Sequence, residues 1–235
     1  MDPGEVGLMG GVVEWFTDPA HWEGSNGIPT LLLQHVLLTV VSLLVAAAVG
    51  LPLAVWLGHR GKGGTLAVNL TNVGRAVPIL ALVSLLALGV FGTGDFGAFG
   101  RSGLATLVAL ALFALPPIVT NTYVGMAEVD PDVKEAARGM GMSEAGLLRR
   151  VELPLALPLI VSGLRIAVVQ VWATATIAAM LAGPGLGRII VHGYDSFDTA
   201  EQVAGALLVA STALVLELGM ALAQRAADPV PASAR

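Results

Sequence analysis

The sequence predicts an all-α polytopic membrane protein, and three observations carry that prediction. Only 12% of its 235 residues are charged and 55% are hydrophobic, against about 25% charged in soluble domains; the mean hydropathy of +0.80 agrees. The apolar residues gather into runs long enough to cross a bilayer, and the basic residues collect in alternate connectors between them. The same composition excludes other classes. The twelve Lys and Arg residues are scattered, so no nucleic-acid partner is expected, and with no Cys there is no disulfide, thiolate chemistry or Cys-ligated metal. His21, His35, His59 and His192 lack metal-ligand spacing, so neither a metal site nor a cofactor is expected. No glycine-rich phosphate loop of the Walker type occurs, so the chain is expected to carry no catalytic residues and not to be an enzyme.

Residues 1–30 hold Asp2, Glu5, Glu14, Asp18 and Glu23 but no Lys or Arg. That is the reverse of a signal peptide's basic start, so this segment reads as a retained, non-cytoplasmic arm. Trp15, Phe16 and Trp22 suit it to the membrane interface. The first span, residues 36–58, is 23 positions without a formal charge; at about 1.5 Å per residue it crosses a hydrocarbon core of about 30 Å. Pro52 is expected to kink it, Trp56 sits at an interfacial position, and the basic turn HRGKGG follows.

A second span covers residues 76–94 and reaches back towards residues 68–72, with Pro78 inside its helical pattern. FGTGDFGAFG, residues 91–100, reads as an interfacial or re-entrant turn. The third span, residues 102–127, contains Pro116-Pro117, which are expected to end or break the helix. Asn121, Thr122 and Tyr123 lie just beyond, and interrupted polar helices at membrane depth persist where protein or a watery path satisfies the freed backbone. The fourth span, residues 155–181, carries Arg165 and Gln170; Arg165 is expected to snorkel or to pair across a subunit interface. The outer turn with Gly183, Pro184, Gly185 and Gly187 reads as a docking or path-closing element, or as a plain reverse turn. The fifth span is residues 202–222, with Glu217 near its end, and the tail from 225 to 235 reads as disordered and cytoplasmic.

Five spans place Arg60, Lys62, Lys134, Arg138, Arg149, Arg150 and Arg225 on one face, which the positive-inside rule makes cytoplasmic. The N-terminus then lies outside and the C-terminus inside. Asp95, Asp195 and Asp198 fall outside; Arg101 and Arg188 are exceptions, one per outer loop.

With this orientation, residues 128–153 form a cytoplasmic loop inside a transmembrane domain of residues 31–224. Asp130-Pro131 is a helix start, a capping side chain followed by proline at the first helical position. Val133, Ala136, Ala137 and Met140 recur at helical spacing, Gly139 and Gly141 are expected to stop that helix, and Ser143 caps a second one bearing Leu147, Leu148 and Val151. Pro154 is expected to end it. The result is an elbow of helix, glycine turn and helix.

The pattern Glu135-Ala136-Ala137, three residues, Gly141, nine residues, Val151, one residue, Leu153-Pro154 resembles the cytoplasmic loop signature of bacterial ABC importer permeases. NTYVGMAEVDPDVKEAARGMGMSEAGLLRRVELPLALPLIVSGLR and ATATIAAMLAGPGLGRII resemble the osmoprotectant branch, which serves glycine betaine, carnitine, choline and proline betaine. The resemblance implies a type I, MetI-like fold of about five transmembrane helices in a bacterial cell membrane. It implies as partners cytoplasmic ABC ATPase subunits, an extracytoplasmic solute-binding protein, a second permease subunit that is this chain or a homologue, and a small zwitterionic solute.

It also makes the elbow a coupling helix: Gly139, Met140, Gly141, Met142, Ser143 and Glu144 as ATPase contacts, Glu135, Ala136 and Ala137 as support. For a quaternary ammonium solute, aromatic faces are wanted, so Tyr123 and Trp172 are the translocation-path candidates, with Asn121 and Gln170; for Trp172, packing is the competing reading. Two alternatives remain open: a permease for an amino acid or other small zwitterion, and a membrane scaffold that does not transport. The broken third span is the argument against the scaffold.

Overall fold

The computed structural model describes residues 3–61, 64, 68–69, 73, 77–89, 91, 94, 97–99, 102–181 and 183–227. Among these the regular structure is helical: α1 (Pro3–Thr17), α2 (Ile28–Arg60), α3 (Ile79–Leu88), α4 (Gly103–Ala127), α5 (Pro131–Gly139), α6 (Glu144–Leu147), α7 (Leu153–Ala175), α8 (Gly187–Asp195) and α9 (Thr199–Ala227), with short 3-10 turns at Pro19–Trp22, Gly97–Phe99 and Thr176–Leu181. Four stretches are long and apolar enough to cross a membrane: Ile28–Arg60, Gly103–Ala127, Glu144–Ala175 and Thr199–Arg225. The expected span at 76–94 is represented by α3, while parts of it, with Lys62, Asp95, Arg101 and residues 228–235, lie outside the described residues. The fold is an all-α, multi-span one.

The chain forms two compact units. The first comprises residues 1–43, 78–111 and 170–215; the second comprises residues 44–77, 112–169 and 216–235. Each of the four long stretches contributes residues to both.

Three proline expectations are corrected. Pro78 does not lie inside a helix; it is the N-cap of α3, with extended backbone at φ −60° and ψ 125°. Pro116 and Pro117 do not break α4, which runs on through both. They are buried, and 67% of the most apolar stretch of α4 is enclosed, so tertiary packing overrides the local preference. The Asn121 amide donates to the Pro117 carbonyl at 2.9 Å, adding a side-chain partner inside the proline turn. Pro154 does not end the elbow's second helix either. A π-helical turn, Leu148–Glu152, joins α6 to α7, and the Leu153 N–H donates to the Leu148 carbonyl. That five-residue step lets the chain wind past the missing N–H of proline.

Small residues set the packing in the second unit. A methyl group at Gly163 would lie 2.8 Å from the Pro117 carbonyl and 2.8 Å from Asn121 Cβ; one at Gly125 would lie 3.1 Å from the Ala156 carbonyl. Glycine at both points lets α4 and α7 run antiparallel with their backbones close. Gly58 does the same for α2, whose added Cβ would sit 2.3 Å from Met126 Cβ. Met126, Ala156 and Ile160 form the buried core there, with Leu51, Val55 and Leu164 packed around it.

Candidate coupling site

The elbow is built by local chemistry. The Asp130 side chain accepts from the Asp132 N–H at 2.8 Å, with Pro131 at the first helical position. α5 closes with Gly141 N–H donating to the Arg138 carbonyl at 2.9 Å and Met142 N–H to that of Ala137 at 3.1 Å. Gly141 has φ +82°, the left-handed region where a Cβ is penalised. Ser143 caps α6 by accepting from the Gly146 N–H at 3.2 Å.

Of the expected apolar face only Ala137 is covered; Val133, Ala136 and Met140 are exposed, Met140 at 78%. Glu135, Gly139, Gly141, Ser143 and Glu144 are exposed too, and Met142 is half-buried. A Cβ added at Gly139 or Gly141 would meet nothing within 4 Å. The tip of the elbow is therefore a free surface with an apolar side chain at its crest.

Beneath it lies a charged cluster that the sequence reading missed. Glu152, in the π turn, is fully buried. His59 Nδ1, at the end of α2, donates to its Oε2 at 2.5 Å, and Lys134 Nζ of α5 lies 3.3 Å from Oε1. Lys134 also donates to the Met126 carbonyl at the end of α4, at 3.3 Å. His59 Nε2 stands 3.6 Å from Glu144 Oε2, and Arg138 grips Glu144 through Nε at 2.8 Å and a second nitrogen at 3.2 Å. That hydrogen bond holds Arg138 above its usual pKa, so the pair stays charged. A buried carboxylate is tolerated only when paired, and here the pairing ties α2, α4 and α5 to the start of α7. One sequence signal existed: Glu152 stands one turn beyond Leu148 on the face of the apolar residues.

The translocation-path candidates fall in different places. In the second unit, Tyr123 is half-buried with its ring against the backbone of Gly64, and Asn121 is half-buried and engaged with Pro117. In the first unit, Gln170 is half-buried and Trp172 is 2% exposed, its indole N–H donating to the Val209 carbonyl at 3.3 Å. The His35 ring lies 4.3 Å from that of Trp172. His35 is fully buried; Leu186 N–H donates to its Nδ1 at 3.2 Å, so the proton is on Nε2, which donates to the Trp172 carbonyl at 3.0 Å. Residues 183–187 are all buried, so this turn is locked inside the chain and is not presented for docking. Arg165 pairs within the chain, with Glu217 through Nε at 3.0 Å and with Gln224 at 2.8 Å.

Comparison with known proteins agrees with the helical plan. Residues 50–230 match the family described as "Binding-protein-dependent transport system inner membrane component". The chain is 35% identical over 198 residues to the glycine betaine/carnitine/choline transport system permease protein OpuCD of Bacillus subtilis, covering 84% of this chain and 82% of the relative. It is 32% identical over 212 residues to the osmoprotectant import permease protein OsmW of Salmonella typhimurium, covering 85% and 92%. Among solved structures, an inward-facing MetNI methionine ABC transporter superposes with a TM-score of 0.73 at 20% identity, over 86% of this chain and 96% of that one; this likeness concerns the fold. The multi-span helical architecture and a match over residues 50–230 together place this chain in the family of binding-protein-dependent transport system inner membrane components, as a permease subunit of an ABC transporter.

Proposed function

We propose that the chain is the transmembrane subunit of an ATP-driven importer for quaternary-ammonium compatible solutes such as glycine betaine. The single observation that carries the coupling half of this reading is the elbow: exposed, apolar at its crest, and tethered to three helices through buried Glu152. ATPase subunits dock on residues 139–144, and closing of their dimer on ATP moves the elbow as a rigid piece; Glu135, Ala136 and Ala137 belong to the helix that supports it. An extracytoplasmic binding protein delivers solute and a second permease, the same chain or a homologue, completes the path, to which Asn121, Tyr123, Gln170 and Trp172 contribute. The N-terminus is outside, with residues 1–30 as the outer arm, and residues 225–235 form the cytoplasmic tail. The solute class follows the relatives, whose names specify glycine betaine, carnitine and choline. The unbroken α4 removes one argument against a scaffold; membership of a transport family replaces it.

The test is ATPase activity of the complex reconstituted in liposomes with its ATPase and binding protein, with and without glycine betaine. We expect stimulation by the loaded binding protein, abolished by Gly141→Trp through failed docking. Response to an amino acid but not to betaine keeps the mechanism and refutes the solute class. No assembly with any ATPase restores the scaffold.

A further inference from the structure

We propose that the first unit carries a binding site for a small zwitterion, separate from the coupling elbow. It is a cavity of about 240 Å³ lined by Trp15, His21, Asn26, Arg188, His192 and Glu201. The volume falls below the roughly 300–1,000 Å³ of sites for drug-sized ligands, so its occupant is small. Three features make it a built site and not a surface dimple.

The first is an orphan donor. Trp15 is 7% exposed, and its indole N–H is buried with no partner among the described residues. His21 stacks on the indole at 4.2 Å with 16° between the rings, and its Nδ1–H donates to the Trp15 carbonyl at 2.8 Å, so the aromatic wall is held in place. A buried donor without an acceptor costs about 1–3 kcal/mol, so this aromatic wall is held in place at a cost that no partner among the described residues offsets.

The second is a free cation. Arg188, at the start of α8, is exposed, and its guanidinium has no ion pair or hydrogen bond among the described residues. It is also one of the two basic residues that violate the positive-inside pattern, and a ligand role accounts for that exception.

The third is a held anion. Glu201, in the first turn of α9, has a side chain only 14% exposed, and its Oε2 accepts from His192 Nδ1 at 2.8 Å. Arg188 suits a carboxylate, while Glu201 and the aromatic wall suit an ammonium group. Glu201 disfavours a simple anion and Arg188 a simple cation. A molecule carrying both charges satisfies the whole lining.

The solute reading above enters only in the choice of first probe. The full chain in lipid nanodiscs is titrated calorimetrically with glycine betaine, proline, choline and acetate, as wild type and as Arg188→Gln, an exposed position whose change spares the core. We expect saturable zwitterion binding, weakened at least tenfold by Arg188→Gln, and quenching of tryptophan fluorescence that disappears in Trp15→Phe. Binding of proline but not of betaine, with the same Arg188 dependence, supports the site and refutes the solute class alone. Equal affinity in wild type and Arg188→Gln, acetate binding as well as either zwitterion, or no saturable binding to a chain that still supports transport overturns the site.

Discussion

Two histidines, His59 at the elbow and His35 in the first unit, do opposite work with the same ring. His35 is fully enclosed and neutral, its two nitrogens spent on the backbone of Leu186 and Trp172. His59 stands between two carboxylates, Glu152 and Glu144, with Lys134 on the far oxygen of Glu152. Around His35 the turn at 183–187 is buried. Around His59 the tether is buried, but the surface above it is open, with Met140 at 78% exposure. The first region is a finished lock whose hydrogen bonds end within the chain. The second is anchored below and open above, which is what the proposed ATPase contact requires.

That contrast is open to direct attack, and the largest effect is expected at Glu152. Glu152→Gln keeps the volume but leaves Lys134 and His59 facing no buried charge. It is expected to destabilise the chain by about 3 kcal/mol and to uncouple ATP hydrolysis from transport, read from the unfolding transition in nanodiscs and from solute moved per ATP. Retained coupling would make the tether mere packing.

A smaller effect is expected in the lock. Gly185 has φ +102°, and an added Cβ would meet His35 Nδ1 at 2.8 Å. Gly185→Ala should therefore cost about 2 kcal/mol, visible in the same unfolding measurement, while ATPase docking is unchanged. Loss of docking in this variant would erase the distinction between the two regions.

The elbow was legible because its determinants are local. Asp130-Pro131, Gly141 and Ser143 each act within four residues, and each does in the structure what its type and spacing implied. The tether was not legible because its partners are remote: His59 and Glu152 are 93 positions apart, and no periodicity joins them. The proline errors share one cause. Local backbone preference alone would stop a helix at Pro116, Pro117 and Pro154, yet burial along α4 and a π turn before α7 absorb the missing donors. Trp172 illustrates a last limit, since neither its type nor its spacing told that both its carbonyl and its ring would meet His35.

The central claim is that the open crest of the elbow is the ATPase contact. The chain has no Cys, so a single Gly139→Cys, at an exposed position with nothing within 4 Å of an added Cβ, can be labelled alone. Maleimide labelling of inside-out vesicles, with and without the ATPase, tests the claim most directly. Rapid labelling of the chain by itself and protection by the bound ATPase are predicted. Labelling at the same rate with the ATPase demonstrably bound would contradict it.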